Sequence, residues 1–175
     1  MPVSIRDARS NARDRVWIEE HYPEYLEDLA RLSMNTGVFV VSGEFSDRKV
    51  GLMGRWFADD SSHPLVVLKD EHPVGFALVA RPPRNQREQV DYQLSEFFIA
   101  PDSRRLGVGR DAAQLIFKRF AGRWEISEFT YNRPAVDFWR AVVTQFTNGK
   151  FRESIAQGEV RQVFESGSAA PAKRS

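Results

Sequence analysis

Residues 101–110, Pro101-Asp-Ser-Arg-Arg-Leu-Gly-Val-Gly-Arg110, set three arginines and two glycines between an apolar run and an amphipathic one. The run before them, Tyr92–Ala100 (YQLSEFFIA), reads as a strand, with Leu94, Glu96 and Phe98 on one side and Ser95, Phe97 and Ile99 on the other. From Val108 the period becomes helical: Ala113, Ile116, Phe117 and Phe120 share one face, and Gly122 can end the helix. The quoted stretch therefore joins a strand to a helix start. Such a terminus presents unpaired backbone N–H groups and roughly half a positive charge, which attract an anion. Gly107 and Gly109 would let the backbone come close to that anion, and Arg104, Arg105 and Arg110 add charge around it. Taken alone, the same letters also fit a loop with solvated arginines.

The flanking sequence supplies the context. Upstream, Val3–Ala8 reads as an edge strand and Ser10 as the cap of a helix carrying Val16, Trp17 and Tyr22. Pro23 suits the first turn of a second helix striped by Tyr25, Leu26, Leu29 and Leu32. Ser46-Asp47 opens a third, with Val50, Met53, Trp56 and Phe57 at helical spacing. Pro64–Leu68 and Val74–Ala80 are short apolar runs around a turn, which predicts a hairpin of strands covered on both faces. The polar stretch 81–89 is a loop. Downstream come a strand, Trp124–Thr130, and a helix starting at Asn132 with Ala135, Phe138, Trp139, Val142, Val143 and Phe146 as its stripe. Phe151–Gln157 and Glu159–Glu165 form a closing hairpin around Gly158. Residues 1–166 are expected as one domain, and 167–175 as a disordered tail with no apolar anchor.

Composition narrows the chemistry. With 25 basic and 24 acidic residues the formal charge is +1, so no global field draws nucleic acid or a membrane, and any anion site must be local. The chain has no cysteine, so disulfides and thiolate catalysis are out. His21, His63 and His72 lack ligand spacing and read as loop or surface residues, so no metal is expected. No apolar run approaches the ~20 residues of a membrane span, and the N-terminus carries no signal-like segment. A cytoplasmic location is expected.

Gly107-Val-Gly109-Arg-Asp-Ala112 also satisfies a dinucleotide fingerprint, with Glu128 near the spacing of a ribose-binding acid. Its context is wrong. Residues 101–106 intervene after the strand, hairpin signals precede it, and too few βα units follow for a doubly wound sheet.

Read from Arg104, the same letters give R-x-x-G-x-G, which resembles the acyl-CoA-binding motif of the GNAT superfamily of N-acetyltransferases. Ile99-Ala-Pro101 resembles that family's strand ending, and Asn132, Ala135, Phe138 and Trp139 resemble its N-x-x-A-x-x-F-Y element. The resemblance is strong over about residues 92–140 and rests on element order elsewhere. It implies an α+β, three-layer fold with a mixed, largely antiparallel sheet of about seven strands flanked by helices. It also implies acetyl-CoA as cosubstrate, bound by Phe98, Ile99, Arg104, Arg105, Leu106, Gly107, Val108, Gly109, Arg110 and Asn132. The implied reaction is direct acetyl transfer to a primary amine, with Glu96 as the general base and Glu125 and Glu128 as alternatives. The chain departs from the family pattern at Trp139, where a tyrosine often protonates the departing thiolate and an indole cannot. Solvent or another hydroxyl, such as Tyr131, would then serve, or the protein is a non-catalytic CoA-binding sensor or interaction module. The acceptor side would use residues such as Glu19, Glu20, Tyr22, Tyr25 and Trp56. The expected partner is a small-molecule or peptide amine, with no nucleic acid and no membrane; a homodimer stays open.

Overall fold

A computed structural model describes residues 2–35, 53–82 and 90–167. Seven strands are ordered β1-β2-β3-β4-β5-β7-β6 in one sheet: β1 Val3–Asp7, β2 Ser62–Lys69, β3 His72–Ala80, β4 Tyr92–Ile99, β5 Gly122–Phe129, β6 Phe151–Ala156 and β7 Glu159–Ser166. Every pairing is antiparallel except β4 with β5. That arrangement excludes the doubly wound alternative. The two tight hairpins turn through paired left-handed residues, Asp70-Glu71 and Gln157-Gly158, which match the twist of their strands.

Alternation along the strands builds three layers. Leu65, Ala77, Val79, Trp124, Ile126 and Phe164 pack under helices α2 (Val108–Arg119) and α3 (Arg133–Thr147). Phe76, Leu78 and Phe98 face the other way, against helix α1 (Ala12–Asn35) and a helical segment at residues 53–58 that brings Met53 and Trp56. Arg9 fastens that segment. Its guanidinium lies within hydrogen-bond distance of the carbonyls of Trp56, Phe57, Asp59 and Ser62 (2.7–3.1 Å), supplying donors where the helical turns run out.

Four local expectations are corrected. Pro23 does not separate two helices but lies inside α1. Its missing N–H costs the helix one bond, yet Ile18 and Tyr22 before it and Tyr25 and Leu26 after it enter one apolar cluster, and that shared burial carries the helix through. The cap of α1 is Asn11, whose side chain accepts from the Arg13 amide at 3.0 Å, because Ser10 is held in a preceding 3-10 turn by the Asp7 carbonyl. Helix α2 ends at Arg119, and Gly122 opens β5 instead. The fourth concerns β4. Leu78 pairs with Glu96 but Val79 pairs with Leu94, so Ser95 is an extra residue in the ladder. The bulge reverses the alternation: Leu94 joins Phe97 on the α2–α3 side, while Glu96 and Phe98 face α1. The predicted helix start at Ser46-Asp47, most of the 81–89 loop and residues 168–175 of the predicted tail lie outside the described residues.

Candidate active site

Strands β4 and β5 are paired only at Tyr92↔Trp124 and Gln93↔Glu125. Beyond those residues they diverge, so β4 from Leu94 onward keeps its ladder with β3 and has none with β5. The divergence leaves a cleft whose wall is a strand edge with unpaired backbone groups. Phe98 and Ile99 lie on that edge, and their partners on the far side are Phe76 and Gly75.

The chain leaving β4 forms the second half of the site. Pro101–Ser103 makes a 3-10 turn, Arg105 and Gly107 take left-handed angles (φ 59° and 80°), and α2 begins at Val108. Gly107 is the N-cap residue and has no side chain to satisfy the first turn, whose earliest helical bond is Asp111 N–H to the Gly107 carbonyl at 3.0 Å. The amides of Val108, Gly109 and Arg110 are thus free of helical bonds. Gly109 has a packing reason as well: a Cβ there would stand 3.3 Å from the Phe138 ring, so the glycine lets α2 and α3 approach.

The three arginines do not act alike. Arg105 and Arg110 are exposed beside the free amides, with Arg110 Nε donating to Asp111 at 3.0 Å. Arg104 is committed elsewhere. Its Nε donates to the Ile99 carbonyl at 2.7 Å, its Nη2 reaches Asp28 on α1, and its guanidinium lies over the Phe98 ring. Leu106 is 61% exposed, whereas Val108 is buried. Asn132 caps α3, accepting from the Ala135 amide at 3.3 Å.

Glu96 lies on the α1 side of β4, beside the divergence. Burial pushes its carboxyl up to about 7, while a hydrogen bond from the Tyr25 hydroxyl pulls it down. That balance puts it where a group can exchange protons near neutrality. The alternatives differ. Glu125 is 5% exposed and engaged, with Gln93 Nε2 donating at 2.8 Å and Arg161 Nη2 2.8 Å away. Glu128 lies on the other face of β5, on the row of Trp124 and Ile126. Trp139 is buried against Phe97, Phe117 and Phe138, in the apolar layer.

Of the residues named for an acceptor cleft, Tyr22 and Trp56 are core, packed edge to face at 5.3 Å, and Glu19 is exposed and paired with Arg15. Glu20 is exposed. Only Tyr25 meets Glu96. Sequence reading named Tyr25 without its partner, and it missed Asp28; contacts across 71 and 76 residues leave no local signal.

A strand pair that parts beside a bulge, followed by a glycine turn into an uncapped helix, defines a class. The model of the acetyltransferase (GNAT) family matches residues 17–142, and the chain belongs to that family. Solved structures agree on the fold. An acetyltransferase from Thermus thermophilus superposes with a TM-score of 0.58 at 18% identity, over 94% of this chain and 97% of that one. A GNAT-family acetyltransferase from Bacillus cereus gives 0.59 at 15%, over 96% and 100%. The PaiA N-acetyltransferase of Thermoplasma acidophilum, solved with coenzyme A, gives 0.55 at 13%, over 94% and 99%. No curated protein matches the sequence.

Proposed function

We propose that this acetyltransferase uses acetyl-CoA as donor and a primary amine of a small molecule or peptide as acceptor, in one direct transfer. The observation that carries the reading is the opened edge of β4, with the free amides of α2 at one end and Glu96 at its bulge. These features fit coenzyme A chemically. The free amides and the exposed Arg105 and Arg110 suit a pyrophosphate. The Ile99 N–H and the β4 edge before it suit the peptide-like amides of a pantetheine arm, as an added strand would be bound, the Ile99 carbonyl being held by Arg104.

The acyl donor supplies a thioester carbonyl. Glu96, directly or through water, takes the proton that the attacking amine must lose as the N–C bond forms. A backbone amide of the Phe98–Ile99 region stabilises the oxyanion until the C–S bond breaks. Solvent returns a proton to the thiolate, since Trp139 has no hydroxyl to offer.

The test has two parts. Calorimetry with coenzyme A and acetyl-CoA should show micromolar binding, and the double charge reversal Arg105→Glu/Arg110→Glu should weaken it at least 10-fold, because both side chains are exposed and the fold is untouched. Acetyl-CoA with a panel of polyamines, amino acids, peptides and aminoglycosides should release free thiol with at least one acceptor. Binding without acceptor-dependent thiol release would favour a non-catalytic CoA-binding module, the role that Trp139 suggests. Binding unchanged by the charge reversal would refute the assigned site.

A further inference from the structure

The Ser95 bulge turns Glu96 out of the α2–α3 layer and towards α1, where Tyr25 waits. The Tyr25 ring cannot wander. Phe76 meets it edge-on at 5.6 Å, Phe98 at 6.0 Å, and Tyr22 tilts against it at 5.8 Å. Its hydroxyl is therefore delivered to one place, and there it donates to Glu96 Oε2. Among the described residues no hydrogen bond engages the other oxygen, Oε1.

We propose that Tyr25 is the positioning residue of the reaction: its hydroxyl fixes the Glu96 carboxylate through Oε2 and keeps Oε1 available to the proton of the acceptor amine. The proposal rests on the reading of Glu96 as base. Glu96 follows the bulge and is half-buried, and a carboxylate so withdrawn from water and left alone would be neutral and free to rotate. One hydroxyl answers both problems, because a donor to the carboxylate favours the charged form. The other groups near Glu96 offer no substitute. From α1 comes Tyr22, the cross-strand neighbour on β3 is Leu78, residues 53–58 contribute Met53 and Trp56 to the same cluster, and Arg104 is held by Asp28 and Ile99.

Tyr25→Phe keeps the ring and removes the hydroxyl. The Glu96 carboxyl carbon, followed by NMR in the free protein, should titrate about one pH unit higher in Tyr25→Phe than in the wild type. With acetyl-CoA and the amine of the panel that releases thiol fastest, the acidic limb of kcat/KM should move by the same amount. The rate at pH 7 should fall about 5-fold or more, with acetyl-CoA affinity unchanged. Tyr22→Phe, which removes a hydroxyl from the same aromatic cluster, should leave the limb in place. A Tyr25→Phe titration that coincides with the wild type, or an equal shift in both variants, overturns the positioning role while Glu96 remains the base. Wild-type rates and an unchanged limb in Glu96→Gln would instead overturn the base assignment, and the positioning role with it.

Discussion

Asp28 and Arg104 join the first helix to the anion loop: Arg104 Nη2 lies 2.5 Å from Asp28 Oδ2, one turn beyond Tyr25 on α1. The same guanidinium holds the Ile99 carbonyl, so α1 is fastened both to Glu96 and to the chain entering α2. We propose that Arg104 serves as a brace for the loop while Arg105 and Arg110 face the anion. Arg104→Ala should weaken coenzyme A binding by about 10-fold through loss of loop order, and Asp28→Asn should do part of the same. Calorimetry on both single variants and the double variant checks this. Interacting residues should give a non-additive cycle, whereas additive losses would mean that Arg104 meets the cofactor directly.

Glu96→Gln keeps the shape of the side chain and removes its base. Affinity for acetyl-CoA should stay nearly intact while the acceptor-dependent rate at pH 7 falls about 100-fold or more. The sign of the pH effect follows from the raised carboxyl. Wild-type kcat/KM should climb as pH rises through about 7, because only the ionised carboxylate accepts a proton. The deficit of Glu96→Gln should widen as pH rises through about 7, where the wild type gains its ionised base and the glutamine does not, and then level off. Stopped assays of free thiol from pH 5.5 to 9.5 measure both.

The parts of the fold that the sequence carries plainly are those set by local periodicity. The run Tyr92–Ile99, the glycine turn and the stripe Ala113, Ile116 and Phe117 give strand, loop and helix because each pattern repeats over a few residues. Pro23 misled because proline's local penalty is visible in the letters and the cluster that outweighs it is not. The Ser95 bulge is invisible for a related reason: the extra residue exists only relative to β3, and strict alternation put Leu94 on the same face as Glu96 and Phe98. The candidate site was legible as positions along the chain. The division of labour among Arg104, Arg105 and Arg110 was not, since it depends on Asp28 arriving from another element.

Arg6 on β1 and Asp14 in the first turn of α1 form a two-point ion pair, Nε to Oδ2 at 2.7 Å and Nη2 to Oδ1 at 2.8 Å. Its two ends are unequally placed. The Asp14 side chain is 1% exposed and that of Arg6 is 36%. Arg6→Ala leaves a buried carboxylate without its partner and should cost about 3–5 kcal/mol. Asp14→Ala leaves a guanidinium that water can reach, and should cost about 1–2 kcal/mol. Urea unfolding of the two variants should rank them in that order; equal losses would mean that the carboxylate is solvated.

Glu128 is a buried carboxyl that the proposed chemistry does not use. It is 7% exposed, and among the described residues neither oxygen has a hydrogen bond of ordinary geometry, although Arg140 and Gln162 stand close enough to lower its carboxyl somewhat. Arg140 and Gln162 are the groups that could relieve it, but both are spent on Glu153, at 2.6 Å and 3.1 Å. Burial first, and the neighbouring Glu153 charge second, push the Glu128 carboxyl up to about 8 from an ordinary 4.5. The folded protein therefore holds a proton that the unfolded chain releases. Between about pH 4.5 and 8 the unfolded state binds fewer protons, so stability from this site is complete below 4.5 and is lost as pH rises through 8. Glu128→Gln keeps the shape, stays neutral and should abolish that decline. The variant should melt a few degrees above the wild type at pH 8, since each kcal/mol is about 2–4 °C for a chain of this size. At pH 5 the two should melt closer together. Calorimetric melting at pH 5, 6.5 and 8 decides it: a wild type and variant whose difference does not change with pH would place Glu128 in contact with water.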